Sequence, residues 1–222
     1  MKIIKKKNEF SLINEFIIIL KREILKKSKK KQRLSFVLTG GSSPKRLYQK
    51  LAISKIDWSN VDLFWCDERF VSQNSKNSNY KLANDLFIKK IKIKKKNLFP
   101  IKTDKISFNK ISKDYENKIL KYFNKRSPRF DIFLLGMGSD GHIASLFPGS
   151  KSLKKKFITT TIIRKDFKRV TLSLDIINKS KKIILWLNSK YKAKIFDKKK
   201  RLGNKIPVNN LNKNNTLIFK IN

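Results

Sequence analysis

Histidine and cysteine are almost absent from this chain of 222 residues, which contains one of each. A single cysteine excludes an internal disulfide framework and a metal site built on paired cysteines. One histidine and one cysteine are also too few for a structural zinc site, which takes four such ligands. We therefore expect no metal site in this protein.

Acidic residues are scarce as well, because 16 Asp and Glu face 55 Lys and Arg and give a formal net charge of +39. Such a charge is typical of proteins that bind nucleic acid or anionic membranes. Here, however, the basic residues are mostly lysine and are spread over the whole chain. AT-rich codon usage produces this profile without a polyanionic partner. We expect no specific nucleic-acid partner.

Long apolar runs are missing too. No run reaches the length that spans a bilayer, and the N-terminal "MKIIKKKNEF" has no apolar signal core. We expect no membrane partner and a cytoplasmic location. Apolar residues still make up 40% of the chain, which excludes a disordered composition. The length suits one domain over residues 1–222.

Strand and helix patterns alternate through much of the chain. Short apolar strands are predicted at "LSFVL", "VDLFWCDE", "FDIFLLG", "KKIILWLN" and "TLIFKI". Apolar residues at helical spacing predict helices over residues 10–25, 44–51, 80–91 and 111–123. Alternation of this kind predicts an α/β fold, with a mostly parallel, Rossmann-like open sheet and helices on both faces. Ligands of such sheets bind at the carboxyl ends of the strands.

The first loop of chemical interest is "TGGSSP", which supplies Gly40, Gly41, Ser42 and Ser43. Consecutive glycines after a strand let backbone N–H groups turn toward a ligand. A helix that begins at Pro44, capped by Ser43, would add its free N–H groups and the positive end of its dipole. This arrangement holds phosphate groups, although no Walker motif follows. Taken alone, the loop is equally compatible with an ordinary turn.

The second loop contains "DERF" and, further on, "SNY". Asp67 and Glu68 end an apolar strand, Arg69 follows them, and Asn79 lies downstream. The planar fork of Arg69 can bind a carboxylate, a phosphate or a developing oxyanion. By itself the pattern is more simply interpreted as a surface ion pair.

The third loop, "GMGSDGHIASLFPGS", carries the single histidine. It formally matches the dinucleotide pattern G-x-G-x-x-G, but Pro148 and Gly149 follow too soon for the long helix of such sites. Asp166 has the spacing of a ribose-binding acid, so spacing alone leaves that interpretation open. In the alternative interpretation the loop presents Asp140 and His142 as a general-base pair.

In this order and spacing the three loops resemble the 6-phosphogluconolactonase family, whose pattern runs roughly GGSTP, DER…SNY and GMGxDGHxASLFPG. Weaker similarity continues in "DYENKIL", "RVTLSL" and "KYKAK". The related glucosamine-6-phosphate deaminases share the DGH loop but tend to have DEY and FNEP segments. Here Arg69 stands at the Tyr position, and residues 145–147 supply no carboxylate. The resemblance is therefore to the lactonases.

The resemblance implies hydrolysis of 6-phospho-D-glucono-1,5-lactone in the pentose phosphate pathway, with no cofactor and with the phosphosugar lactone as partner. We also expect a monomer or a small homo-oligomer. His142 would be the general base, oriented by Asp140, and Arg69 would stabilise the oxyanion. Asp67 would hold Arg69 or a sugar hydroxyl, and Asn79 would bind sugar hydroxyls. The phosphate would lie on residues 40–43, with Arg169 and Lys192 beside it.

Three alternatives remain open at this point. One is a deaminase-like phosphosugar isomerase. Another is a phosphosugar-binding protein without turnover, which would not need the Asp140–His142 pair. A third is a nucleic-acid-binding protein, for which we find no basic patch interleaved with aromatic residues.

Overall fold

A seven-stranded parallel sheet forms the centre of the computed structural model, which describes residues 1–153 and 156–222. This arrangement confirms the predicted α/β class with a mostly parallel sheet. From one edge to the other, its strands are β1 (Lys2–Lys6), β10 (Thr216–Ile221), β9 (Lys182–Leu187), β6 (Ile132–Leu135), β2 (Leu34–Leu38), β3 (Val61–Trp65) and β5 (Leu98–Phe99).

Helices cover both faces of this sheet, as predicted. Phe16 of the first helix packs on Phe36 of β2, with ring centroids 6.0 Å apart. Phe36 lies opposite Leu63 in the register of β2 and β3, so Phe64 points to the other face. There it meets Tyr122 of the fourth helix at 4.9 Å. The helices are α1 (Glu9–Lys29), α2 (Lys45–Ile53), α3 (Asn79–Leu86), α4 (Phe108–Tyr122), α5 (Leu174–Lys179) and α6 (Lys190–Lys199).

A second, antiparallel sheet was not predicted. It contains β4 (Asp67–Arg69), β8 (Lys168–Leu172) and β7 (Thr159–Ile163). The prediction of one strand over residues 61–68 is therefore wrong, because β3 ends at Trp65 and β4 pairs with β8. The Tyr115 hydroxyl accepts a hydrogen bond from the Trp65 N–H at 3.0 Å and donates one to the Trp65 carbonyl at 2.8 Å. A side chain thus satisfies the backbone where the strand leaves the sheet.

Smaller differences concern element ends. Strand β1 was not predicted, and the predicted helix over residues 80–91 ends at Leu86 and continues as a 3₁₀ turn. Strand β8 ends at Leu172 because Ser173 caps α5, its hydroxyl accepting a hydrogen bond from the Ile176 N–H at 3.2 Å. On α1 the buried stripe excludes Phe10, which is 58% exposed.

Within the described ranges, the helices are too short or too polar to cross a membrane.

Candidate active site

An open cleft lies between β2 and β6, where the connections from two neighbouring strands run to opposite sides of the sheet. From β2 the chain continues to β3 and β5 on one side, whereas from β6 it continues to β9 and β10 on the other. Such a switch point leaves a crevice at the carboxyl ends of the strands. The cleft measures about 590 Å³ including its open mouth, which is in the range of small-molecule sites.

All three loops reach this cleft, together with residues from β8 and α6. Each candidate residue from the sequence lines it except Asp140, which lies behind His142. The lining residues are Thr39, Gly40, Gly41, Ser42, Ser43, Asp67, Arg69, Asn79, Gly136, Met137, Gly138, His142, Ala144, Arg169 and Lys192.

The imidazole of His142 is fixed by Asp140. Asp140 Oδ1 lies 2.6 Å from His142 Nδ1 and also accepts from the His142 backbone N–H at 3.0 Å. Burial opposes ionisation of Asp140, but the hydrogen bonds from His142 outweigh it and lower the pKa of the carboxyl to about 2. Because an ionised Asp140 can only accept a hydrogen bond, the neutral form of the imidazole carries its proton on Nδ1 and keeps a free lone pair on Nε2.

Two neighbours shape the position of the ring. A Cβ atom on Gly138 would overlap the His142 imidazole, so this position requires glycine. The Phe147 ring packs beside the imidazole, with centroids 4.8 Å apart. Residues 137–150, all of them described, form turns and contain no α-helix. The loop therefore lacks the helix that a dinucleotide pyrophosphate site requires.

The turn over residues 40–43 differs from the prediction, because Ser43 does not cap helix α2. The first bond of α2 runs from the Tyr48 N–H to the Pro44 carbonyl at 2.8 Å, and the Ser43 hydroxyl accepts from the Lys192 ammonium instead of capping the helix. Across the described residues, the N–H groups of Gly41, Ser42 and Ser43 meet no acceptor. They are free to donate to a ligand at this helix start.

Three cationic side chains converge on the cleft. Arg69 donates from Nη1 to the Asn77 carbonyl at 2.8 Å, which holds its side chain in place. Arg169 is 7% exposed and donates to Asp166 at 2.5 Å. Lys192 is half-buried, and desolvation lowers its pKa. This excess of positive charge favours an anionic ligand.

Asp67 does not hold Arg69, which was one of its two expected roles. Its main-chain carbonyl and its Oδ1 accept from the Asn79 amide at 2.9 and 3.3 Å. Asn79 in turn lies so close to Gly40 that a Cβ atom there would overlap its amide. The second loop thus packs directly on the first.

Glu68 has a role that the sequence did not indicate. Its carboxylate points away from the cleft and accepts from the N–H groups of Arg69, Asn79 and Tyr80 at 2.7 to 2.8 Å, and from the Ser78 hydroxyl at 3.0 Å. It therefore closes the loop that carries both Arg69 and Asn79. Burial raises the pKa of Glu68 to about 7. The three N–H groups favour the ionised form and lower the pKa, but burial is the larger effect.

Comparison with known proteins gives the family. The model of the family described as glucosamine-6-phosphate isomerases/6-phosphogluconolactonase matches residues 7–219. The 6-phosphogluconolactonase of Synechocystis sp. is 31% identical over 181 residues, which are 80% of this chain and 75% of that protein. The chloroplastic 6-phosphogluconolactonase 3 of Arabidopsis thaliana is 32% identical over 208 residues, or 86% of this chain and 64% of that protein.

Solved structures show the same fold. The crystal structure of 6-phosphogluconolactonase from Thermotoga maritima superposes with a TM-score of 0.83 at 26% identity, covering 100% of this chain and 99% of that one. The 6-phosphogluconolactonase from Trypanosoma brucei also gives a TM-score of 0.83, at 25% identity over 99% of this chain and 95% of that one. The chain therefore belongs to the glucosamine-6-phosphate isomerase/6-phosphogluconolactonase family.

Proposed function

We propose that this protein hydrolyses 6-phospho-D-glucono-1,5-lactone to 6-phosphogluconate, as a step of the pentose phosphate pathway, with His142 as the general base. The observation that carries the proposal is the ordered Asp140–His142 pair at the wall of a cleft rich in cations. The relatives named as 6-phosphogluconolactonases support the same substrate.

The chemistry needs one group that takes and then returns a proton. Nε2 of His142 accepts a proton from water as the water oxygen bonds to C1 of the lactone. The imidazolium is stabilised by the Asp140 carboxylate, whose low pKa keeps it ionised. The imidazolium then protonates the ring oxygen as the C1–O bond breaks, which yields the hydroxyl and the carboxylic acid of the product.

The remaining candidate residues bind and polarise the substrate. Arg69 stabilises the oxyanion that develops on the carbonyl, and Asp67 and Asn79 bind sugar hydroxyls. The phosphate lies on the free N–H groups and hydroxyls of residues 40–43. Lys192, which already contacts Ser43, and Arg169 supply its counter-charge.

The turn after His142 favours the lactonase over a phosphosugar isomerase. Residues 145–147 contain no carboxylate for ring opening. Phe147 occupies the space beside the imidazole instead, and it is 8% exposed. A second acid–base group beside the histidine is therefore missing from this turn.

Hydrolysis of freshly prepared lactone tests the proposal. Formation of 6-phosphogluconate is followed with a coupled assay, and the spontaneous rate is subtracted. We expect turnover of the phosphorylated lactone, far slower turnover of glucono-1,5-lactone, and no consumption of glucosamine 6-phosphate. A rate equal to the spontaneous one would refute the activity, and product binding without turnover would identify a phosphosugar-binding protein.

A further inference from the structure

The Asp67 carboxylate is buried in the cleft wall and is held by neutral groups. It is 6% exposed. Oδ2 accepts from the Ser145 hydroxyl at 2.7 Å, while Oδ1 accepts from the Cys66 thiol at 3.0 Å and from the Asn79 amide at 3.3 Å. A buried carboxylate keeps a fixed position only when hydrogen-bond donors replace its lost water. The shortest of these bonds comes from Ser145.

Ser145 reaches Asp67 through a strained tight turn. The backbones of Ile143 and Leu146 bond to each other in both directions, at 3.3 and 2.9 Å. Between them Ala144 adopts a positive φ of 49°. Ser145 itself is completely buried, and its N–H donates to the Thr171 hydroxyl at 3.2 Å.

These contacts make Ser145 the junction of three segments: the turn after His142, the start of β4 and strand β8. Ser145 follows His142 by three residues, so it links the loop that carries His142 to the Asp67 carboxylate. Core packing alone does not require the Ser145 hydroxyl, because alanine would fill most of the same space. The hydroxyl instead donates to one oxygen of the Asp67 carboxylate.

We propose that Ser145 is a positioning residue that holds the Asp67 carboxylate in place to accept a hydroxyl of the sugar substrate. This assignment rests on the proposed function for the identity of the ligand. Without the Ser145 hydroxyl, Oδ2 loses its short donor and the carboxylate shifts from its place in the wall. Recognition of the sugar then weakens, whereas the phosphate contacts on residues 40–43 remain.

The test compares Ser145→Ala with Ser35→Ala. Ser35 offers a matched control because its hydroxyl also donates to a buried aspartate, Asp131 at 3.0 Å, but near the amino ends of the strands. We expect Ser145→Ala to weaken 6-phosphogluconate binding, measured by calorimetry, about tenfold and to raise KM similarly, with a smaller change in kcat. Inorganic phosphate should bind as before. Ser35→Ala should lower only the melting temperature.

A double-mutant cycle with Asp67→Ala completes the test, because Ser145→Ala should have no further effect on affinity once its partner is gone. Unchanged 6-phosphogluconate affinity in Ser145→Ala, or the same loss in both backgrounds, would overturn the assignment. If Ser145→Ala does not fold, Ser145→Cys keeps the volume with a weaker donor and should show the same pattern, reduced in size. Binding is measured without turnover, so a wild-type protein that binds but does not hydrolyse refutes the proposed function alone.

Discussion

At the scale of single residues, contacts with neighbouring groups restrict the conformations of the candidate side chains in the cleft. His142 is held by Asp140 on one side and by Phe147 on another, and Gly138 leaves room for its ring. A side chain fixed in this way loses less entropy when it reacts. Its position, more than its residue type, is the ground on which we propose His142 as the base.

Replacing His142 by Asn should preserve the fold, because a partly exposed polar side chain is exchanged for a smaller polar one. The proposed base is lost, so kcat should fall roughly 10²–10⁴-fold, the usual contribution of general acid–base catalysis. Steady-state kinetics and calorimetry with 6-phosphogluconate measure the two effects. A folded variant with near-normal kcat would leave His142 as a packing residue.

Replacing Gly138 by Ala should act on the same ring indirectly. The added methyl group overlaps the imidazole and displaces it from Asp140. We expect kcat to fall at least tenfold, while thermal denaturation changes little, since the loop is at the surface of the cleft. Gly136→Ala is the comparison variant: this residue also lines the cleft, but its Cβ would lie 3.5 Å from the nearest heavy atom, the Ser43 hydroxyl oxygen, so kcat should fall less. Equal kcat in both variants would contradict this account.

At the scale of elements, Glu68 joins strand β4 to the start of α3. Its four hydrogen bonds fix the segment between Arg69 and Tyr80, and two of the cleft residues of the second loop, Arg69 and Asn79, lie near the ends of that segment. The small antiparallel sheet thus has a function in the site, since β4 and β8 carry Arg69 and Arg169 as directly opposed residues.

The raised pKa of Glu68 predicts a pH dependence of stability. The folded protein keeps a proton on this carboxyl up to about pH 7, whereas the unfolded chain loses it near the ordinary value of 4.5. The contribution is therefore present below about pH 4.5 and is lost as the pH rises to about 7. Urea denaturation should show a larger loss of unfolding free energy over this window in wild type than in Glu68→Gln.

The control for that experiment is Glu116→Gln on the surface of α4, where the carboxylate is bonded to Lys113 at 2.7 Å. This variant should follow the wild-type pH profile. Parallel profiles for wild type and Glu68→Gln would show that Glu68 is ionised in the folded protein throughout the window.

At the scale of the whole molecule, the net charge of +39 acts on any anionic substrate. Salt shortens the Debye length from about 30 Å at 0.01 M to about 3 Å at 1 M. We expect kcat/KM for the phosphorylated lactone to fall about tenfold over that range, while glucono-1,5-lactone, which is neutral, shows no such fall. Equal salt dependence for both lactones would mean that the surface charge does not attract the substrate.

Four broader expectations stay predictions: a single domain, a monomer or small homo-oligomer, a cytoplasmic location and the lack of a specific nucleic-acid partner. A pull-down with nucleic acid at two salt concentrations would test the last of these, because binding to a phosphate backbone weakens steeply with salt.

The sequence by itself determined the fold class and the three loops of the cleft. Apolar strands such as "LSFVL" alternate with helices that have one apolar face. The spacing of apolar residues within each segment indicates which of its faces is buried, so neighbouring residues are enough to predict it. The strand-to-loop boundaries placed Gly40, Arg69 and His142 after strand segments, and parallel strands bring such ends to one edge. Candidate residues in these three loops could therefore be named from the sequence pattern, whereas Arg169 and Lys192 were named only from the family resemblance.

Only the tertiary structure decided which groups hold those residues. The backbone of Trp65, the last residue of β3, bonds to the side chain of Tyr115, fifty residues away. Ser43 pairs with Lys192 and not with its own helix, and Asp67 is bonded to Ser145 from another loop. Such partners are distant in the chain and leave no periodic signal, because a hydrogen bond depends on separation in space and not on spacing in sequence.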